Sequence, residues 1–538
     1  MMIQPLPLRG SALVKDWLAG RPSADAFFPG APGDSQRWRE VAEQVAARFD
    51  RDARERAASL LTGGGETGGH RLDRFVREGG FMVTTGQQPA LLGGPLYVLF
   101  KAFTAVALAR RMEEVLEQSV LPVFWVGSDD HDWNEARGTW LLDSENEAVE
   151  LALPPRDGPS PAIHRIPLQG EAAMEGVLDS LLAALPESDF AARWRAVLQD
   201  SWGRSGITLA EGFAAQLEAL TSDAGLFLVR SHDSRLREAS RPLLQAELRS
   251  AAESEAELRE RAEALEAAGY EAQVPIAPGA TNVLLDGPES RDRILRQAEG
   301  GGLTLRGRDE LLSDDVLSGG SDGALTPNVL LRPVVEAHLF PTLAYVAGPG
   351  EAAYLAQNEP LFRRHGVTRP LVHPRFSGVV MERKVEKVLT KYGLRLEELA
   401  VPHHELAGRL VREDLPEGIR RELGSFRGAV ARHTADLARE VTALDPTLRD
   451  SVEQLRSQGF AGLADVEKKV VQALKRENEI TLAQIAKAQL HLFPDGAPQE
   501  RRMNAWYFLF RYGEAFLAEL RRRAEASVEP LQAGTSAG

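Results

Sequence analysis

FMVTTGQQPALLGGPLYVLFKAFTAVALARR, residues 81–111, changes character twice within one stretch. Phe81–Thr84 is a short apolar run of strand length. TTGQQPALLGGP (84–95) then supplies Gly, Gln and Pro, the residues of a turn. From Leu91 to Arg111 the apolar residues resume in a composition suited to a helix. The next apolar run, LPVFWV (121–126), is continuous rather than alternating, as in a parallel strand buried on both faces. It ends in the polar cluster GSDDHDWNE (127–135). Strand, helix and strand predict a βαβ unit, and polar groups at a buried strand's carboxyl end predict where an open α/β sheet meets its ligand.

Working outward, EAVELAL and IHRIPL read as strands, 171–220 as helical, and LFLVRS as an apolar strand inside 223–233. The Glu, Arg and Ala pattern of 234–269 reads as one charged helix with a solvated face. RGRDELLSDDVLSGGSDGALTPN (306–328) reads as a loop crossing back towards the site. LAYVAGPGEAAYLAQNEPLF (343–362) repeats strand, glycine turn and helix, and PLVHP (370–374) a further strand. The α/β core is thus discontinuous: 1–146, 223–233 and 326–384, interrupted by 147–222 and 234–325. In 385–490, Phe426, Val430, Leu437, Val441, Leu444 and Leu448 recur at coiled-coil spacings, as do Leu463, Val466, Val470 and Leu474, with a break at SQGFAG (457–462). They predict an antiparallel coiled coil, an ordinary helical bundle being the alternative. The aromatic-rich segment 491–538 is expected to dock back on the core.

The 538 residues carry a net charge of −15, which argues against a duplex nucleic-acid binder. No stretch is apolar enough to span a bilayer, and the amino-terminal residues lack the form of a secretory signal, so a cytoplasmic protein is expected. There is no cysteine, which removes disulfides, thiolate zinc sites and cysteine nucleophiles together.

Three clusters could carry chemistry. The turn at Thr85, Gly86, Gln87 and Gln88 points N–H groups and amides at an anion, or else serves only as a turn; Lys101 either reaches the same anion or is solvated. Asp130, His131 and Asp132, beside Asp129, hold a histidine between carboxylates, which suits a proton acceptor. A structural polar cluster is the bland alternative, and the ligand count is too low for a metal. At AGPGE (347–351), Gly348 and Gly350 permit close backbone approach, and Glu351 sits in a first helical turn. Upstream, Arg332 suits a carboxylate or phosphate, and Asn328 either joins it or caps a helix.

TGQQPALLGGPLYVLFKA (85–102), PVFWVGSDDHDWNE (122–135) and TPNVLLRPVVEAHLFPTLAYVAGPGEAAYLAQ (326–357), in this order and separation, resemble the cysteine ligase family of bacillithiol biosynthesis over nearly the whole chain. The resemblance implies an α/β Rossmann-like core similar to nucleotidylyltransferases and class I aminoacyl-tRNA synthetases. It also implies two connecting insertions and a carboxyl-terminal coiled coil that forms a homodimer. The implied reaction joins L-cysteine to the amino group of glucosaminyl malate. Amide formation from a free carboxylate is uphill in water, so ATP, leaving as ADP and accompanied by Mg²⁺, is the expected cosubstrate; no zinc is expected. His131 would deprotonate the amine, while Arg332 and the N–H groups at 85–88 would hold the malate carboxylates. Arg502, Asn504, Tyr507 and Tyr512 form a candidate second nucleotide pocket, with packing of the last helix as their alternative role. Two rivals stay open: a Mg²⁺-dependent nucleotidyltransferase or phosphohydrolase, and a non-enzymatic, nucleotide-sensing coiled-coil scaffold.

Overall fold

The structure, a computed structural model, describes residues 1–170, 174–297, 302–308, 310–313, 317 and 323–529. It divides into two compact units, residues 1–380 with 500–538, and residues 381–499.

The first unit is built on a six-stranded sheet. In chain order its strands are β1 (Thr62–Gly63), β2 (Gly80–Gln87), β3 (Ser119–Val126), β4 (Phe227–Arg230), β5 (Thr342–Ala347) and β6 (Leu371–Pro374). Their spatial order is β6-β5-β2-β3-β4-β1. All neighbours are parallel except β1, which runs antiparallel to β4 at the edge. The expected βαβ unit is β2, helix α1 (Tyr97–Leu116) and β3, with Thr84 opposite Val123 and Gln87 opposite Val126. Every residue of β3 is buried, which accounts for its unbroken apolar sequence. After β4 the chain returns to the other side of β2. The switch point therefore lies between β2 and β5, where open α/β sheets bind ligands.

Helices α2 (Ser234–Arg249), α3 (Arg332–Leu339) and α4 (Pro349–Gln357) frame this end of the sheet. One hydrophobic cluster joins Leu331, Val334, Tyr345 and Leu355 to Val283, Ile294 and Leu325. The last three belong to an antiparallel sheet of Leu303–Leu305, Arg291–Arg296, Ala280–Asp286 and Ala324–Pro327.

Three readings need correction. IHRIPL is not a strand: residues 163–165 form a single 3₁₀ turn. The backbone N–H groups of Ile163 and His164 donate to Asp130 O (2.7 Å) and Ser128 O (3.2 Å) instead of to a ladder, and Pro167 has no N–H to give. The charged stretch 234–269 is two helices meeting at Ser250, and α2 is not merely solvated. Leu236, Leu243, Leu244 and Leu248 share one buried face that the charged composition disguised. Of the expected loop 306–328, residues 309, 314–316 and 318–322 lie outside the described residues, and Ala324–Pro327 is a strand.

The second unit is helical, dominated by α5 (Glu417–Leu444) and α6 (Arg449–Glu477). They run antiparallel, with Arg427 paired to Glu467 at 3.4 Å. The turn falls at 445–448, not at SQGFAG. Asp445 leaves helical geometry and accepts a hydrogen bond from Thr447 N, and Pro446 cannot continue the ladder of α5. Gly459 is instead inside α6, where a Cβ would stand 3.0 Å from Val430 Cγ1. The glycine that looked like a breaker lets the two helices approach. Finally, α7 (Glu514–Val528), in the first unit, packs along α1 and pairs Glu525 with Arg110; residues 530–538 lie outside the described residues.

Candidate active site

A cavity of about 380 Å³ opens at the carboxyl ends of β2, β3 and β5, within the size range of small-molecule sites. Gly86, Gln87 and Gln88 come from the end of β2, and Trp125, Gly127, Asp129 and Asp130 from β3 and its loop. Tyr97 and Lys101 lie on α1, Tyr345, Gly348, Gly350, Glu351 and Tyr354 on β5 and α4, and Asn328 and Arg332 at the start of α3. Arg291, Arg375 and Arg501 complete the cationic wall.

Lys101 is buried, not solvated: its side chain is 1% exposed, and Nζ lies 2.6 Å from Glu351 Oε2. It also donates to Gly86 O and, at 3.3 Å, to Gln87 Oε1, so all three ammonium protons are engaged. Glu351 further accepts from Gly348 N and the Tyr345 hydroxyl, both at 2.7 Å. Burial disfavours the Glu351 carboxylate, yet Lys101 and these donors outweigh it and hold its pKa below the ordinary value. Burial also lowers the pKa of Lys101 in spite of Glu351.

Arg332 stands over the rings of Trp125 (5.7 Å) and Tyr345 (5.1 Å) and pairs with buried Glu336 at 2.7 Å. Burial raises the pKa of Glu336, opposed by Arg332. Arg332 Nη2 is buried, and the guanidinium also interacts with the Tyr354 hydroxyl. Arg375 makes two bonds to Glu500 (2.6 and 3.0 Å) and one to Phe376 O. Arg291 bonds Asp129, Thr326 and Pro327 O. Burial opposes ionisation of Asp129, but Arg291 and Ser231 bring its pKa down. Tyr97 and Tyr354 are both pushed up to about 12, chiefly by burial. At the accessible rim, burial and then Asp132 and Asp130 raise the pKa of Glu135.

The sequence candidates separate on this geometry. Gly86, Gln87, Gln88, Asp130, Arg332, Gly348, Gly350 and Glu351 meet at the cavity. His131 does not: it is exposed and lines an adjoining cavity of about 550 Å³, which shares Gln88, Asp130, Glu135 and Arg291 with the first. The Asp132 carboxylate accepts from Glu135 N at 3.0 Å and caps the short helix Trp133–Ala136. Thr85 lies within the sheet, its hydroxyl donated to Val346 O at 2.8 Å. Asn328 lines the cavity, and its side-chain oxygen accepts from Leu330 N and Leu331 N in the turn before α3. Gly93 and Gly94, at positive φ, are turn residues; a Cβ on Gly93 would collide with Gln216.

The residues proposed for a second nucleotide pocket are used in packing. Asn504 is buried and bonds Leu92 O, Gly94 O and Thr139 Oγ1, and Tyr507 is buried against Phe508 and Arg511. Arg502 and Tyr512 are half-buried with partners of their own. The void beside Ala505 measures about 10 Å³, room for no more than a water.

Sequence reasoning missed Tyr97, Trp125, Glu135, Arg291, Tyr345, Tyr354, Arg375 and Arg501. Trp125 and Tyr345 had a signal, aromatic residues one turn of strand before a polar loop. Arg291, 162 positions from its partner Asp129, had none.

Comparison with known proteins gives this geometry a family. Residues 1–376 match the N-terminal Rossmann-like domain of bacillithiol biosynthesis BshC, and residues 378–527 its C-terminal coiled-coil domain. A protein of Salinibacter ruber is 34% identical over 508 residues, covering 92% of each chain. One from Heliobacterium modesticaldum is 32% identical, over 88% of this chain and 85% of its own. One from Symbiobacterium thermophilum is 30% identical, over 92% and 94%. All three bear the name "Putative cysteine ligase BshC". The site at the switch point of a parallel sheet, the helical hairpin and these matches along both halves have one reading: the chain belongs to the BshC family of bacillithiol biosynthesis.

Proposed function

We propose that this protein is a cysteine ligase that joins the carboxylate of L-cysteine to the amino group of glucosaminyl malate. Beyond family membership, the observation that carries the reading is the cavity at the switch point, lined by Arg291, Arg332, Arg375 and Arg501. Asp129, Glu336 and Glu500 pair with the first three and Arg501 is exposed at the rim, so the wall carries more guanidinium donors than these carboxylates take up, which suits malate carboxylates or phosphates. ATP, when bound, supplies the driving force for an amide that would otherwise not form in water. Mg²⁺ enters with its phosphates, as that ion commonly does; among the described residues no group of three or more His, Asp or Glu stands ready to hold it. Use of ATP and a free thiol suits the cytoplasm, and no described helix is long and apolar enough to cross a membrane.

The amine attacks only after losing a proton. Asp130 is the base we favour, because it alone of the sequence-predicted catalytic residues lines both cavities. Glu135 shares that position, and burial raises its pKa, which makes it the alternative proton acceptor. His131, on the second cavity alone, contacts the incoming aminosugar.

Purified protein incubated with glucosaminyl malate, L-cysteine, ATP and Mg²⁺, with each omitted in turn, is expected to yield a product heavier by one cysteinyl residue. Asp130→Asn should lower kcat about 100-fold or more, whereas His131→Ala should cost about tenfold or less. If Glu135 is the base, kcat/KM rises with pH through a pKa above the ordinary glutamate value, because only the deprotonated form accepts the proton. Absence of product with every component present refutes ligation, and ATP consumption without the aminosugar favours the nucleotide-processing rival.

We further propose a homodimer through the hairpin. Phe426, Leu437 and Leu444 on α5 and Leu455 and Val466 on α6 are spaced by seven or eleven residues, yet all are exposed within one chain. Two such stripes suit a second copy. Wild-type protein should sediment as a dimer and Leu437→Glu/Leu455→Glu as a monomer of unchanged helix content. A monomeric wild type refutes the assignment.

A further inference from the structure

We infer that Glu247, which no step above uses, is a positioning residue that sets the amide orientations of Asn282 and Asn328 and through them holds Arg332 at the cavity wall; this rests on reading that cavity as the substrate site. Glu247 lies on α2 and is completely buried. Its carboxylate meets three donors. Asn282 Nδ2 reaches Oε1 at 2.7 Å, while Ser254 Oγ and His365 Nε2 reach Oε2 at 3.0 and 2.8 Å. A carboxylate accepts and does not donate, so Asn282 must turn its NH₂ towards Glu247. Its oxygen then faces the opposite way, where it accepts from Asn328 Nδ2 at 2.9 Å.

Asn328 is oriented in turn, with its oxygen left to accept from Leu330 N (3.0 Å) and Leu331 N (2.9 Å). These N–H groups belong to the turn at 329–331 that leads into α3, whose first residue is Arg332. Reversing either amide would set donor against donor and acceptor against acceptor. Both asparagines are buried, so solvent cannot mend the mismatch. The backbone runs in register with the relay: Asn328 N donates to Asn282 O at 2.8 Å, and Arg332 N to Asn328 O at 2.9 Å. One carboxylate thus fixes the polarity of a side-chain chain that ends by holding the turn into α3. Arg332 depends on that turn for its place over Trp125 and Tyr345, and displacing a ligand-holding group by about 1 Å can cost about 100-fold in rate.

Hydrogen–deuterium exchange across residues 328–336 of the full-length protein reads the relay without any activity assay. In Glu247→Leu and Asn282→Leu, exchange at Leu330 and Leu331 should quicken about fivefold, as expected for a lost hydrogen bond. Glu247→Gln, which retains an acceptor oxygen, should stay close to wild type. KM for glucosaminyl malate should rise about tenfold in the leucine variants with a smaller change in kcat. In an Arg332→Ala background, Glu247→Leu should add no further loss.

Unchanged exchange in both folded leucine variants overturns the relay, and additive losses with Arg332→Ala overturn action through Arg332. Asn282→Leu carries the test if Glu247→Leu does not fold. If wild-type protein makes no ligation product, the proposed function fails while exchange still decides the relay.

Discussion

Lys101→Met is expected to destabilise the folded protein by about 3–5 kcal/mol, the usual consequence of removing one partner from a buried ion pair. Glu351 would keep its buried position and lose the ammonium 2.6 Å away, and Gly86 O would lose its donor. The pH dependence identifies the cause. In the wild type, the Glu351 pKa lies below its ordinary value of 4.5. Its contribution is therefore present above pH 4.5 and is lost as pH falls through the depressed folded value. Without Lys101, Gly348 N and the Tyr345 hydroxyl still favour the carboxylate, but burial loses its largest opponent and the pKa rises relative to the wild type. The stability then missing at neutral pH is regained relative to the wild type as pH falls through the variant's value. Urea unfolding at neutral pH and near pH 5 should show the gap between variant and wild type narrowing on acidification. Lys101→Met/Glu351→Leu, which removes both charges, should recover much of the loss. A pH-independent deficit would mean that lost packing, not the orphaned carboxylate, is responsible.

Arg332→Ala should reduce kcat/KM for the ligation about 100-fold, equivalent to ~2.7 kcal/mol of transition-state binding. The guanidinium serves two sides at once: one nitrogen holds buried Glu336, and the side chain also lines the cavity. Arg332→Lys separates these duties, because an ammonium is a point charge without a planar fork. Lysine should restore stability to within about 1 kcal/mol of wild type by neutralising Glu336, yet leave turnover low. Full activity in Arg332→Lys would remove the two-pronged role. Loss confined to stability in Arg332→Ala would make Arg332 a structural counter-ion to Glu336.

Both variants act on residues whose identity was legible before their roles were. Arg332 and Glu351 stood in motifs at strand ends, and Lys101 was noted in the helix after the first glycine turn. Whether Lys101 met solvent or a buried carboxylate depended on which face of α1 turned to the sheet, and its partner lies 250 positions away. Asp132 and Asn328 show a related ambiguity. A short polar side chain at a strand end can serve a ligand or nearby backbone N–H groups with the same hydrogen bond; Asp132 caps the helix Trp133–Ala136, and Asn328 holds the turn before α3 while lining the cavity. The glycines behaved likewise. Gly459 resembled a helix breaker, but within a helix that packs closely on Val430 it marks a point of approach.

By itself the sequence determined the parallel βαβ unit, the discontinuous core and the helical hairpin, because each is written in the local period of apolar residues that must leave water. It also determined that polar residues gather at the strand ends, since a buried strand can carry them nowhere else. Only the tertiary structure decided that Arg291 and Arg375 reach the cavity, that His131 lies outside it, and that Glu247 governs the turn into α3 through two asparagines. Those assignments depend on which distant side chains must satisfy one another once water is excluded, and no local pattern carries that information.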